Sequence, residues 1–207
     1  MVLTLILFYS TARSQGYAVA EYFRDIAGTP FFPRTYTDVT GNPYLFDDFQ
    51  KSLVTLYNGE VLKDIMTNFN LISGELLYVD ENGKTMIATS AAVKSVEVAT
   101  RKFIPTPARN VYCEVMSTEG KATLLRIYKK RIVETKAFNS ATAQKDFVIN
   151  ESYVLLADNK LTEVKSVKDL YEVLIPADTL KEFSKQEKLR PKSEVSWVKI
   201  VDYYNAI

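Results

Sequence analysis

The chain has 207 residues, 47% of them hydrophobic and 25% charged, which is typical of a globular protein long enough to bury a sizeable core. Its 26 basic and 25 acidic side chains nearly cancel, so no global field favours binding to nucleic acid or to an anionic membrane. Histidine is absent and Cys113 is the only cysteine. These two facts exclude an intrachain disulfide, a cysteine-rich zinc site and any mechanism that depends on histidine.

The first residues have the pattern of an export signal. An apolar run of eight residues, 2–9, is too short to span a bilayer but suits the core of a signal peptide. Ala12 and Ser14 supply small side chains at the spacing that a signal peptidase accepts, which predicts cleavage before Gln15. A basic stretch before the run is missing, and the alternative is a buried first strand. We expect residues 1–14 to be a signal peptide and the product to be periplasmic, extracellular or outer-membrane associated.

Residues 15–50 are predicted to contain one short helix and an irregular segment. Apolar residues recur with helical spacing between 18 and 27, and Gly28 and Pro30 end the pattern. The following stretch, to Pro43, is rich in Pro, Thr and Gly and predicts irregular structure. The apolar stripe of the helix consists of Val19, Tyr22, Phe23 and Ile26.

Residues 51–165 are divided by turn signals into about ten short strands, which predicts hairpins of antiparallel sheet. Asn58 and Gly59 predict a type I′ turn because both residues tolerate positive φ. Further turns are expected at 80–83, 117–120 and 158–159.

Two strands of this region carry specific expectations. Residues 93–98 alternate in polarity and are expected to end the first sheet. Cys113 alternates with Val111 and Val115 and is expected to be a buried small side chain. The fold class that we predict is mainly β within the α+β class, an antiparallel sandwich or a partly closed barrel.

After residue 165 the spacing of apolar residues changes from two to 3.6, which predicts about three short helices over 166–207. Ser166, Asp178 and Ser193 are the expected N-caps, and Pro176 ends the first helix. Because isolated helices of this length are marginal in water, we expect them to pack on the β domain. Their apolar residues are Val167, Leu170, Tyr171 and Leu174, then Leu180 and Phe183, then Trp197, Ile200, Val201 and Tyr204.

Several strings together resemble a known group of proteins. They are the decapeptide at 41–50, the hairpin at 53–61, the segment 70–78 and the lysine-rich segment 189–204. The chain after residue 14 looks like a family of uncharacterised exported proteins from Bacteroidota-type bacteria. The resemblance implies a location in the cell envelope or outside the cell. It implies no activity and identifies no site residues. The missing basic stretch at the N-terminus departs from the pattern.

Three charged motifs have structural interpretations. Asp47 and Asp48 are adjacent, and neighbours on a strand point to opposite faces, so we do not expect them to share a metal ion. The motif at 80–83 lacks the remaining ligands of a calcium loop and predicts a hairpin turn. The basic run at 126–131 would suit a phosphate or an anionic glycan, but we interpret it as two strand ends that meet at a solvated turn.

No phosphate loop, serine elbow or dinucleotide motif is present, so no catalytic residue, cofactor or metal is predicted. We expect a non-catalytic exported binding or envelope-associated module whose partner is an envelope protein or a glycan, with no transmembrane segment in the mature chain. The alternatives are an enzyme that uses only carboxylates on a glycan, and an envelope assembly factor that docks a partner through its C-terminal helices. Tyrosine rings with a polar tip are enriched at binding surfaces. The candidate ligand-binding residues are Tyr44, Tyr57, Tyr78 and Tyr128.

Overall fold

The structure is a computed structural model that describes residues 28–106, 111–136 and 143–207. The predicted signal peptide and the predicted helix over 18–27 lie outside these residues. The described strands are β1 Thr29–Pro30, β2 Val39–Thr40, β3 Gln50–Leu56, β4 Val61–Asn70, β5 Glu75–Val79, β6 Thr85–Ile87, β7 Val93–Val98, β8 Arg101–Thr106, β9 Val111–Val115, β10 Ala122–Thr135, β11 Gln144–Ala157 and β12 Lys160–Val164. The described helices are α1 Val167–Val173, α2 Ala177–Gln186 and α3 Glu194–Ala206. The predicted class, mainly β with C-terminal helices, is confirmed.

All described strands belong to one sheet with the order β1-β6-β5-β4-β3-β7-β8-β9-β10-β11-β12, and β2 pairs with β11. Neighbours in this order are antiparallel, whereas β2 is parallel to β11. The sheet curls until β5 touches β9, although four strands separate them in the order. The backbone N–H of Lys130 on β10 also donates to the carbonyl oxygen of Leu71 at 3.1 Å. Within the described residues the sheet does not close, so it is a curled, open sheet.

The concave face of the curl holds an aromatic core. The rings of Phe69 and Phe103 lie 4.6 Å apart, and Tyr112 lies 5.5 Å from Phe69. Phe46, from the segment before β3, meets Phe103 edge-on at 6.4 Å. Such ring pairs add about 0.5–1.5 kcal/mol to the burial of their area.

The same face of β10, β11 and β12 is covered by the helices. Trp197 of α3 packs edge-on against Tyr153 at 5.1 Å, and its indole N–H donates to the carbonyl oxygen of Pro191 at 3.0 Å. Asn205 accepts from the backbone N–H of Ala122 at 3.0 Å and donates to its carbonyl at 2.8 Å. The helices therefore form a second core. Its buried members are Ala122, Leu124, Leu155, Val164, Val167, Leu170, Leu174, Leu180, Trp197, Ile200 and Val201.

The opposite face of β9, β10 and β11 carries a third apolar cluster. Cys113, Leu125, Ile127 and Val154 each expose 1% or less of their surface. The prediction that Cys113 is a buried strand residue is confirmed. We call this surface the outer apolar face.

The hairpin at Asn58 and Gly59 forms, but the predicted turn type is wrong. Only Gly59 has positive φ, at +92°, and Leu56 N–H donates to the carbonyl oxygen of Glu60 at 2.8 Å. In this loop only the last residue, Gly59, adopts the left-handed backbone conformation. Asn58, which has a Cβ atom, therefore avoids the steric cost of positive φ. The type I′ conformation occurs instead at Asp158 and Asn159, whose φ values are 48° and 58°.

Two strand predictions are wrong. The segment 93–98 does not end a sheet, because β7 pairs with β3 on one side and with β8 on the other. The basic run 126–131 is not a turn, because β10 is continuous through it and pairs with β11 along its full length. Lys130 is accommodated within the strand since its ammonium group binds the carbonyl oxygens of Asn42 at 2.9 Å and Tyr44 at 2.6 Å.

The helix starts agree with the sequence in part. Ser166 caps α1 together with Asp169 in a capping box, as Ser166 was expected to do. The prediction for Asp178 is wrong: the N-cap of α2 is Pro176, and Asp178 lies in the first turn, where it binds Lys181 at 2.9 Å. Ser193 is the N-cap of α3, but its side chain makes no capping hydrogen bond within the described part of the chain.

Candidate ligand-binding cleft

Two adjoining cavities lie where the sheet ends at β1. One has a volume of about 480 Å³ and the other about 570 Å³. Both are lined by Pro30, Phe31, Phe32 and Tyr44, so the two cavities share a wall, and we treat them together as one depression. We call this depression the aromatic cleft. Its rings are Phe31, Phe32, Tyr36, Tyr44 and Phe49.

Edge pairing places the two phenylalanines in the cleft. Thr29 pairs with Ile87 and Pro30 with Met86, and Phe31 N–H donates to the carbonyl oxygen of Thr85 at 3.0 Å. Prolines before and after the Phe pair keep the backbone extended. Phe32 then exposes 81% of its surface. An exposed ring of this size beside a cavity marks a surface suited to binding.

Tyr44 is held in the wall of the cleft by backbone contacts. It forms an isolated antiparallel bridge with Asn70, and its N–H donates to the side-chain oxygen of Asn42 at 2.9 Å. Its carbonyl oxygen accepts from Lys130 at 2.6 Å. Burial raises the pKa of the Tyr44 hydroxyl above its ordinary value, with a smaller contribution from Tyr36. The hydroxyl therefore stays neutral and can donate a hydrogen bond.

A third, smaller cavity of about 260 Å³ adjoins the cleft through Glu75 and Ile87, which line both. Tyr112 lines it and is 8% exposed, and its hydroxyl has no hydrogen-bond partner among the described residues. Burial raises the pKa of this hydroxyl, so it is also a neutral donor. A buried polar group without a partner costs about 1–3 kcal/mol of stability.

A cluster of charged groups, the arginine cluster, lies on the concave face between the aromatic core and the helix-covered core. Arg101 holds Glu114 with two hydrogen bonds, from Nε at 2.7 Å and from Nη2 at 3.1 Å. Tyr128 donates to the same carboxylate at 2.5 Å. The members of the cluster are Arg101, Glu114, Arg126, Tyr128, Tyr153 and Glu194.

The pKa of Glu114 reflects this environment. Burial alone would raise it, but hydrogen bonds from Arg101 and Tyr128 and the charges of Arg101 and Arg126 outweigh burial, so the pKa lies below its ordinary value. Burial and the bond to Glu114 raise the pKa of Tyr128. Glu114 is therefore an anion and Tyr128 a neutral donor at physiological pH.

The second arginine links the sheet to α3. Arg126 Nη1 lies 3.3 Å from Glu194, and its Nε forms an ion pair with Glu114 at 3.3 Å without hydrogen-bond alignment. Tyr153 donates to Glu194 at 2.5 Å. The charged groups of the arginine cluster thus neutralise one another and leave little capacity for a ligand.

The structure does not bring the four candidate tyrosines together. Tyr44 lies in the aromatic cleft, whereas Tyr57 is exposed at the turn between β3 and β4. Tyr78 is 2% exposed in the aromatic core, and Tyr128 belongs to the arginine cluster. Sequence reasoning missed Phe31, Phe32 and Phe49 of the cleft. The sequence holds almost no signal for Phe31 and Phe32, because they follow a strand of only two residues.

The acidic motifs have the structural roles expected of them. Asp47 is exposed and accepts from the Asn42 amide at 3.2 Å. Asp80 accepts from the backbone N–H groups of Asn82 and Lys84, at 2.9 and 2.7 Å, and so closes its turn. Among the described residues, no group of three or more acidic or cysteine side chains is placed to hold a metal ion. The described helices include none with the length and hydropathy needed to cross a bilayer.

Comparisons with protein-family models, with curated proteins and with solved structures each returned no match.

Proposed function

We propose that the protein is a non-catalytic, exported binding module whose aromatic cleft holds an extended apolar segment of a partner protein. The observation that carries the proposal is that two adjoining cavities share Phe31, Phe32 and Tyr44 as lining residues. Aromatic and arginine side chains supply most of the binding energy at protein interfaces, and Arg34 lies beside these rings.

The position of the cleft favours an extended peptide. In the described sheet, β1 is the last strand on its side, and a peptide can add to such an edge through backbone hydrogen bonds. Successive side chains of an added strand alternate between the cleft and solvent. Lys84 lines one cavity and Glu75 the other, so a partner segment with opposite charges at its two ends would be fixed in one direction.

The alternatives find less support. An enzyme that relied on carboxylates alone would need a pair of them at one cavity, whereas Glu75 is the one acidic side chain among the described residues that line the cleft. An assembly factor that docked through its helices would present their apolar stripes. Leu170 and Ile200 are instead 0% exposed against the sheet.

Export is part of the proposal and rests on the apolar run at 2–9 and on Ala12 and Ser14. N-terminal sequencing of protein from the envelope fraction of the native host tests it. We expect Gln15 as the first residue, and a cytoplasmic product that retains residues 1–14 would contradict export.

The binding proposal is tested by panning a random dodecapeptide library on the protein and titrating synthetic versions of the enriched peptides. We expect aromatic or aliphatic peptides that bind the parent and lose at least about tenfold in affinity with Phe32→Ser, since one buried aromatic anchor is worth this much or more. Ile132→Ser is the matched control, because Ile132 is an exposed apolar residue on β10 outside the cleft.

Two results would contradict the proposal. Equal loss with Phe32→Ser and Ile132→Ser would show non-specific adhesion to exposed apolar side chains. Binding to a glycan array that depends on Phe32, with no enriched peptide, would identify a glycan as the ligand.

A further inference from the structure

The third cavity, of about 260 Å³, combines apolar walls with one buried polar group. Leu76 on β5 and Ala88, which follows β6, are both buried and line it. Tyr112 reaches the cavity from β9, which is separated from β5 by four strands in the sheet order but meets it across the curl. The tertiary fold therefore builds this cavity from strands that are distant in the sheet.

The hydroxyl of Tyr112 is the unsatisfied polar group of the cavity. The residue is 8% exposed, and its ring lies 5.5 Å from the ring of Phe69 in the aromatic core. The hydroxyl has no hydrogen-bond partner among the described residues. Burial raises its pKa, so it keeps its proton at neutral pH. Because buried polar atoms in native proteins are nearly always hydrogen-bonded, we expect an acceptor from a ligand or from water at this proton.

The charges around the cavity determine which kind of acceptor suits it. Among the described residues that line the cavity, Glu75 is the one charged side chain, and none is basic. An anionic ligand would be buried there without a partner for its charge, which is unfavourable. An ammonium group has only donors, so it would leave the Tyr112 proton without an acceptor. A neutral carbonyl group satisfies the hydroxyl without burying a charge.

The volume of the cavity limits the ligand to a small one. Pockets for drug-sized ligands measure about 300–1,000 Å³, and this cavity is smaller. It is still much larger than the volume of about 30 Å³ that one water molecule occupies in the liquid. Leu76, Ile87 and Ala88 favour a short apolar group beside the carbonyl. The cavity therefore suits a neutral ligand of a few non-hydrogen atoms.

We propose that the third cavity is a binding site for a small neutral carbonyl group, of the kind found in a primary amide, with the Tyr112 hydroxyl as its hydrogen-bond donor. The group has two possible sources. One is a free small molecule. The other is an Asn or Gln side chain of a segment bound in the aromatic cleft, since Glu75 and Ile87 line both cavities. The site itself does not depend on the cleft.

Propionamide is the probe, and its binding is followed by saturation-transfer NMR of the ligand during a titration. We expect Tyr112→Phe to weaken binding about fivefold or more, since it removes one hydrogen bond. Tyr57→Phe is the matched control, because Tyr57 is exposed and lines none of the three cavities. It is expected to leave the affinity within about twofold. Propionate and propylammonium have a similar shape but carry a charge, and both are expected to bind at least about tenfold more weakly.

A stability measurement separates loss of the ligand contact from loss of the fold. Because the Tyr112 hydroxyl has no partner among the described residues, Tyr112→Phe is expected to leave the midpoint of urea unfolding unchanged or to raise it. A clear fall of the midpoint would mean that the hydroxyl is already satisfied within the protein and would overturn the proposal.

Peptides enriched by panning distinguish the two sources. Peptides that share an Asn or Gln and bind about fivefold more weakly to Tyr112→Phe would assign the carbonyl to the partner segment. Propionamide binding that depends on Tyr112, with peptides that do not, would assign it to a free small molecule. Phe32 does not line the third cavity, so Phe32→Ser is expected to leave propionamide binding unchanged even if the proposal for the cleft fails. If neither propionamide nor any enriched peptide depends on Tyr112, the cavity holds only water and the proposal is overturned.

Discussion

The arginine cluster and the aromatic cleft both have the composition of a functional site. They differ in whether their side chains are already paired within the protein or are free to contact a ligand. In the arginine cluster Glu114 is held by Arg101 and Tyr128, and Arg126 pairs with Glu194. In the cleft Phe32 is 81% exposed. A concentration of charge is a structural feature when its members neutralise one another. A ligand can bind where exposed side chains surround a cavity and are not already engaged by neighbouring residues.

The largest effect is expected from removing α3, which supplies Glu194 to the arginine cluster. A chain that ends at Lys192 loses the burial of Trp197, Ile200 and Val201, worth about 1.5–3 kcal/mol each. Because native domains are stable by only about 5–15 kcal/mol, we expect cooperative unfolding in urea to be lost or its midpoint to fall sharply. An unchanged midpoint would mean that α3 is an independent docking element.

Glu114→Ala is expected to lower the free energy of unfolding by about 3 kcal/mol, because it leaves two arginines without their shared anion. Glu119→Ala is the control. It breaks an exposed ion pair with Lys102 and is expected to cost less than about 1 kcal/mol. Similar losses in urea unfolding for both variants would contradict a stabilising role for the cluster.

The arginine cluster also predicts a pH dependence. Because the pKa of Glu114 is lower in the folded protein than the value of about 4.3 for an unperturbed Glu, its stabilisation is complete above that pH. It is lost as the pH falls through the folded pKa. We expect the stability of the parent relative to Glu114→Gln to decrease when urea unfolding is repeated from about pH 6 down to about pH 3. A difference that stays constant over this range would be inconsistent with the lowered pKa.

Tyr153→Phe is a smaller perturbation. It removes the hydroxyl that donates to Glu194 and keeps the ring that packs on Trp197. The expected loss is about 1 kcal/mol in thermal or urea unfolding, because one hydrogen bond to a partly exposed carboxylate is removed. No loss at all would mean that solvent replaces the hydroxyl without cost.

Local sequence patterns predicted the hairpins and helices. The arginine cluster depends instead on pairing between strands, which local patterns do not reveal. Ser166 was identified as a cap because its partner Asp169 is three residues away. Arg101 and Glu114 meet only because β8 pairs with β9, and β8 has no clean alternation since Arg101, Lys102 and Pro105 interrupt it. The arginine cluster therefore was not predictable from the sequence.

The cleft was predicted only through Tyr44. Phe31 and Phe32 lie in a segment whose proline content predicts irregular structure. The strand β1 that precedes them is defined by its pairing with β6. Pairing of a two-residue strand leaves almost no periodic signal in a sequence.

The distinction between binding cleft and structural cluster is tested most directly by measuring peptide affinity and urea midpoint on the same two variants. With a peptide enriched by panning, Phe32→Ser is expected to weaken binding at least about tenfold and to change the free energy of unfolding by less than about 0.5 kcal/mol. Glu114→Gln is expected to lower the midpoint and to leave the affinity within about twofold, since Glu114 does not line the cleft. Loss of binding with Glu114→Gln and full binding with Phe32→Ser would contradict this account.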